Sequence, residues 1–260
     1  MDLHTILDRF ANGSLSLSDV EKEISIHAIE KIGNIAKLDI GREMRRGMPE
    51  IIFAENKEYR DVIRIALAAI RRNGQAVVSR IRKDELSKVS STLRKKGMLV
   101  EAGRNSTTLL AFDKSFGGKM TGAKIGIMAA GTSDIGVAEE ARLVAKAMGC
   151  EATASYDVGI AGIHRLFPAL KEMAAKNVGA IVVVAGMEGA LASVVASMVD
   201  TPVVGVPTST GYGFGGNGIA ALASMLQSCT LGLAVVNIDN GVGGGAYAAS
   251  IAKRMTRKMA

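Results

Sequence analysis

The sequence predicts an α/β protein in which a flavodoxin-like five-stranded parallel sheet follows a smaller α/β domain, and three observations predict it. From residue 119 onward one device recurs: a short apolar run, a glycine-rich turn dense with hydroxyls and acids, and then a helical pattern. IGIMAAGTSD, YDVGIAGIHR, VVVAGMEGAL, VGVPTSTGYGFGGNG and VVNIDNGVGGG are its five occurrences. Second, 23 of the 30 glycines lie at or after Gly117, most of them where a strand hands over to a helix. Third, strand candidates such as AIVVVAG are apolar throughout. Such strands indicate a sheet covered on both faces, built from parallel strands with right-handed crossovers.

Taken in order, residues 1–33 pattern as two amphipathic helices, the second opened by Ser16 or Ser18 as cap with acids in its first turn. Residues 36–40, 51–54, 76–81 and 107–112 have strand character, with helices at 58–72 and 84–96 between them. KSFGGKMTGAK, with three glycines and three lysines between two strand candidates, is the best linker. It sets the expected boundary: a small domain over 1–117 and the flavodoxin-like domain over 118–260. In the latter, strands near 124–130, 152–157, 179–185, 202–206 and 234–238 are each followed by a helix, and the expected strand order is 2-1-3-4-5. Turns at the carboxyl ends of parallel strands share one edge of the sheet, which is where open α/β sheets bind ligands.

Composition narrows the function classes. With 260 residues and 48% apolar content the chain can bury a sizeable core. MDLHTILDRF reads as an ordinary helix rather than a signal peptide, so a cytoplasmic protein is expected. Residues 178–199 are long enough to span a bilayer and carry one charge, Glu188, but Gly186 and Gly189 split them into a β-branched run and an alanine-rich helix. No membrane is expected. Two cysteines, Cys150 and Cys229, exclude a disulfide framework and a cysteine-rich zinc site. The net charge of +7 resides mainly in residues 1–116, which hold 21 Lys+Arg against 16 Asp+Glu. Absence of tryptophan, few aromatics and no zinc-finger-like motif argue against nucleic acid as partner. Arg42, Arg45 and Arg46 either form a solvated charged face or reach an anionic small molecule.

The chemistry concentrates at the strand ends. In AAGTSDIGVAEEA, Gly131 to Asp134 form a turn and the helix runs on from about Ile135, so N–H groups and the Thr132 and Ser133 hydroxyls meet at a helix start. That arrangement suits a phosphate, or equally a simple cap by Ser133 or Asp134. It is neither GxxxxGK[ST] nor GxGxxG, so neither a Walker nor an ordinary Rossmann loop is present. Of three histidines, His4 and His27 fall in the amino-terminal helices and only His164 falls at a strand-to-helix turn, next to Arg165. That pair suits an anion or a proton transfer. Glu188 is the lone charge of a long apolar stretch, and either caps a helix start or, poorly solvated, serves as general base. Cys229 ends the helical pattern IAALASMLQSC, where the dipole does not favour a thiolate, and on that ground reads as an inert core cysteine. Cys150 has the same reading.

AGTSDIGVAEEA, DVGIAGIHRL, VVAGMEGALASVVA, GVPTSTGYG, MLQSC and VVNIDNGVGGG, together with LDIGREMRRGMPEIIFAENK upstream, resemble the pyridinium-3,5-biscarboxylic acid mononucleotide synthase family (LarB) over most of the chain. The carboxyl-terminal half is similar, more distantly, to aminoimidazole ribonucleotide carboxylase (PurE-like), although GIHRLFP lacks the serine and threonine neighbours usual in the purine enzyme.

The resemblance implies carboxylation of the pyridinium ring of nicotinic acid adenine dinucleotide by carbon dioxide or bicarbonate, with hydrolysis of the phosphoanhydride to release AMP. It implies Cys229 as nucleophile and Glu188 as proton acceptor, reversing the inert reading of that thiol. His164 joins them as a third catalytic candidate. Gly131, Thr132, Ser133 and Asp134 would hold the ribose phosphate, and His164 and Arg165 would line the same pocket. Gly186, Met187, Thr208, Ser209, Gly213 and Gly215 complete the expected substrate site, with 213–218 as a closing loop. Mg²⁺ is the expected cofactor, with Asp134 and Asp239 as candidate ligands, and a homo-octamer the expected assembly. Two other functions remain: a purine carboxylase that depends on His164 rather than Cys229, and a nucleotide-sensing module that binds without catalysis.

Overall fold

The computed structural model describes residues 3–25, 28–118 and 120–259; His27 and Lys119 lie outside them. The chain divides into two compact units, one of Met1–Val100 with Leu110–Gly117, the other of Glu101–Leu109 with Gly118–Ala260.

The first unit begins with α1 (Leu3–Ala11) and α2 (Leu17–Ser25). Ser16 opens α2: its hydroxyl accepts the Asp19 N–H at 3.2 Å and donates to Asp19 Oδ2 at 2.6 Å. The helical reading of 1–33 needs correction beyond that point, because β1 (Ile29–Ile32) pairs antiparallel with β2 (Ala36–Asp39). Gly33, at φ 51°, turns the chain between two short runs, and that turn outweighs the helical spacing of the isoleucines. Then follow α3 (Arg42–Arg46), β3 (Ile51–Phe53), α4 (Tyr59–Asn73), β4 (Gln75–Ser79), α5 (Leu86–Lys95), β5 (Leu99–Ala102) and β6 (Leu109–Phe112), with sheet order β3-β4-β6-β5. Four residues are too few for β5 to show a period in sequence. Arg42 pairs with Glu50 at 3.3 Å and Arg45 with Asp39 at 2.6 Å, so two of the three arginines expected to meet solvent or an anion are spent within the unit.

The second unit holds β7 (Lys124–Ala129), α6 (Ile135–Ala147), β8 (Glu151–Ser155), α7 (Leu166–Ala175), β9 (Ile181–Ala185), α8 (Ala190–Met198), β10 (Val203–Pro207), α9 (Ile219–Leu226), β11 (Leu233–Val235) and α10 (Gly241–Met259). Its strands are all parallel in the order β11-β10-β9-β7-β8, the expected 2-1-3-4-5 arrangement.

Side-chain alternation explains the double cover. Met128, Ile181, Val183 and Val203 pack with Leu166 and Met173 of α7, Leu191 and Val195 of α8 and Met225 of α9. The neighbouring strand positions face the other way: a Cβ on Gly244 of α10 would lie 2.5 Å from Val206 Cγ2 and 3.5 Å from Val182 Cγ1. Each large apolar side chain buried this way contributes about 1.5–3 kcal/mol. Helix α10 also lies close against α6, since a Cβ on Gly245 would come 2.4 Å from Ala141 O.

Two carboxylates on α6 are buried, and both are fully engaged. Glu140 accepts Thr108 Oγ1 at 2.9 Å and the Val242 N–H at 3.1 Å. Glu139 accepts the Arg104 N–H at 3.1 Å, Arg142 at 2.7 and 2.9 Å, and the Tyr156 hydroxyl. Arg142 continues to Glu101 at 2.8 Å. Burial pushes the Glu139 carboxyl up, but donation from Arg142, Tyr156 and Arg104 outweighs it and holds the group below the ordinary carboxylate range. Burial and Glu139 together push the Tyr156 phenol well above its usual value. The segment 101–109 and the start of α10 are thereby fastened to α6.

Candidate active site

Strand order places the site. The chain leaves β7 and β9, neighbours in the sheet, toward helices on opposite faces, and the turns after them diverge to leave a crevice at the carboxyl edge. A cavity of about 360 Å³ occupies it, lined by 130–134 after β7, 157–161 after β8, 185–191 after β9, and Thr210 after β10.

The turn after β7 is a single 3₁₀ turn, Thr132–Asp134, leading directly into α6 at Ile135. Asp134 is buried and closes the turn: Oδ2 accepts the Gly131 N–H at 2.9 Å and Oδ1 accepts the Thr208 hydroxyl at 2.7 Å. It is therefore a brace from β7 to β10 rather than a group offered to a ligand. Thr132 and Ser133 are exposed on the cavity wall, and among the described residues their hydroxyls make no hydrogen bond. Free hydroxyls at the positive end of a 13-residue helix suit an anion.

After β9 the chain makes two left-handed steps, Met187 at φ 53° and Gly189 at φ 67°. Gly186 sits against the next turn, where a Cβ would come 2.3 Å from Thr210 O, and the Met187 N–H donates to that same oxygen at 2.9 Å. These steps turn Glu188 out of the apolar run. Its side chain is exposed on the cavity wall and has no hydrogen-bond partner among the described residues. The burial cost anticipated for this solitary carboxylate is therefore not incurred. A non-glycine residue held left-handed costs of order 1 kcal/mol, and such outliers gather at functional sites.

Asp157, not anticipated as a site residue, lies on the wall after β8 at φ 60° and pairs with Arg165. Its signal in sequence was its address, at the strand end that opens DVGIAGIHR. Arg165 and His164 lie in the 3₁₀ segment Ile160–Arg165, exposed, and neither is on the cavity wall. Among the described residues the wall thus carries three carboxylates, Asp134, Asp157 and Glu188, and no lysine, arginine or histidine.

Other expected residues distribute around this core. Thr208 is buried beside Asp134, and the Ser209 N–H donates to Asp239 Oδ1 at 2.8 Å. Gly213 and Gly215 belong to the segment Gly213–Gly218. Helix α9 ends at Leu226, so Cys229 is not in a helix; it is exposed in the coil before β11, at the amino edge of the sheet and off the cavity wall. Cys150 is buried, and burial pushes its thiol up. Among the described residues no three of His, Cys, Asp and Glu gather as a metal cage. Both oxygens of Asp134 are already taken, which does not fit a dedicated Mg²⁺ ligand, whereas Asp239 keeps one oxygen without a hydrogen-bond partner among the described residues.

A family model described as AIR carboxylase matches residues 124–260, and one described as LarB/PurE-like N-terminal domain matches residues 29–108. This chain belongs to the LarB family, with a PurE-like carboxyl-terminal half. It is similar, at 48% identity over 257 residues and 98% of each chain, to a protein of Methanocaldococcus jannaschii described only as uncharacterized. LarB-like and PurE-like domains support a carboxylase-type function. Among the described residues no helix is long and apolar enough to cross a membrane.

Proposed function

We propose that this LarB-family protein carboxylates the pyridinium ring of nicotinic acid adenine dinucleotide and hydrolyses its phosphoanhydride, releasing AMP and leaving pyridinium-3,5-biscarboxylic acid mononucleotide. The observation that carries the reading is the polarity of the cavity: hydroxyls and a helix start suited to a phosphate, in a wall whose charged side chains are all carboxylates. The wall carboxylates attract the cationic ring nitrogen, and the hydroxyls and helix start meet the adjoining phosphate; a ribonucleotide without a ring cation would gain only the second contact.

A pyridinium carbon is electron-poor and cannot attack carbon dioxide. When the Cys229 thiolate adds to the ring, the new C–S bond sends an electron pair onto the ring nitrogen, and the neutral dihydropyridine gains a nucleophilic enamine carbon. That carbon forms the new C–C bond to carbon dioxide, Glu188 takes the proton it then loses, and expulsion of the thiolate restores the aromatic cation. Thr132 and Ser133 hold the ribose phosphate. Mg²⁺ in this reading enters with the diphosphate, as a dication that keeps its own waters, and no protein ligand is assigned to it.

Association into the octamer belongs to the same proposal. The coil bearing Cys229 is flanked by Leu226 and Leu231, 67% and 91% exposed, an apolar surface that a second copy would cover. Among the described residues the cavity of one chain carries no thiol on its wall, so in this reading the nucleophile comes from a neighbouring copy. The amino-acid match to AIR carboxylase favours a second reading, a purine carboxylase, in which Cys229→Ala retains activity. The test is incubation of purified protein with nicotinic acid adenine dinucleotide, Mg²⁺ and labelled bicarbonate, with mass analysis of the nucleotides. Label in a dicarboxylated mononucleotide is the expected result. Binding without incorporation identifies a sensing module and ends the proposal.

A further inference from the structure

We propose that Tyr212 and Phe214 form an aromatic platform for the adenine half of the dinucleotide, outside the cavity; the inference rests on the dinucleotide reading above. Ligand pockets run from about 300 to 1,000 Å³, and this one, at about 360 Å³, lies at the lower end of that range. With the pyridinium half enclosed, the adenylate half leaves across the rim.

The rim segments are braced at their bases. Asp134 closes the turn after β7, the Asp157–Arg165 pair holds the one after β8, and the Met187 N–H bond to Thr210 O ties together those after β9 and β10. Beyond Thr210 the last segment runs outward and carries Tyr212, 82% exposed, and Phe214, fully exposed. Tyr212 is two residues from Thr210, at most about 7 Å of chain. The segment is free to adjust: Gly211 and Gly213 lie at φ 151° and 72°, and a Cβ on Gly213 or Gly216 would meet nothing within 4 Å. In a chain with no tryptophan and only ten Tyr and Phe residues, two bare rings beside the mouth of this cavity are what a planar base stacks upon.

The experiment is calorimetric titration of the full-length protein and the Tyr212→Ala/Phe214→Ala double variant with AMP, ribose 5-phosphate and nicotinic acid mononucleotide. The variant is expected to bind AMP at least about ten-fold more weakly, equivalent to ~1.4 kcal/mol, and no better than ribose 5-phosphate. Its affinity for nicotinic acid mononucleotide stays within about two-fold, since that half lies inside the cavity. Unchanged AMP affinity overturns the inference. So does a drop in oligomer mass of the variant by light scattering, which assigns the two rings to a contact between copies. Loss of AMP binding in the variant, with no binding of nicotinic acid mononucleotide by the wild type, supports the adenine platform and overturns the dinucleotide reading instead.

Discussion

Cys150 and Cys229 show how much environment decides the chemistry of one side chain. Cys150 is buried, with its Sγ 3.9 Å from Ala249 O and beside the Thr121 side chain. In the single chain Cys229 is exposed in a coil. A thiol-specific reagent small enough to enter the cavity that this sulfur serves is therefore expected to label one thiol per chain, at Cys229, and to reach Cys150 only after unfolding; mass spectrometry of the labelled peptides checks this. Glu188 is the second residue whose setting matters. It has no partner among the described residues to hold it, so Glu188→Gln leaves the fold intact and removes only an acceptor. Steady-state kinetics on the dinucleotide should show kcat lowered about 10²–10⁴-fold with KM little changed.

At the scale of elements, α6 is the piece on which the second unit is assembled. Its Glu139 ties 101–109 and the end of β8 together through Arg104, Arg142 and Tyr156, and its Val137–Ala141 stretch receives the glycine face of α10. Glu139 and Glu101 both lie below the ordinary carboxylate value in the folded protein, so the stability they contribute is present above pH ~4.5 and lost as the pH falls through their lowered values. Circular dichroism of an acid titration should show thermal stability declining below that pH. Glu139→Gln should flatten the decline and, by leaving Arg142 half-paired, cost about 3 kcal/mol at neutral pH. The glycine contact makes a separate prediction. A methyl at 245 would meet the backbone carbonyl of Ala141 at 2.4 Å, and backbone cannot rotate aside as a side chain can. Gly245→Ala is expected to lower stability by about 1–3 kcal/mol in a denaturant titration, despite the helix propensity of alanine.

For the whole molecule, cavity and sulfur lie at opposite edges of one sheet, which is a liability for a monomer and none for a symmetric assembly. Co-expression of Cys229→Ala and Glu188→Gln chains tests this directly. Neither homo-oligomer should turn over, whereas mixed oligomers should recover roughly a quarter of native activity, the share of sites in which chance pairs an intact sulfur with an intact carboxylate. No recovery would return the nucleophile to its own chain.

The sequence by itself determined the parallel sheet and the edge that bears the site, because apolar runs separated by glycine turns are local features; the order 2-1-3-4-5 was expected, but right-handed crossovers admit other orders and the tertiary structure decided it. Thr132, Ser133 and Glu188 could be named from their address at strand ends. What chain-neighbour patterns could not contain was decided in three dimensions. A 3.6-residue period and a glycine hairpin compete at 29–39, and pairing with the facing strand settled it. Asp134 looked like a ligand until Thr208, 74 positions away, took its second oxygen. Asp157 reached the wall only through a left-handed backbone step that its residue type permits but does not demand. The polarity of the cavity is likewise a tertiary fact, since it sums side chains from three separate turns, and electrostatic fields depend on distance in space rather than on position along the chain.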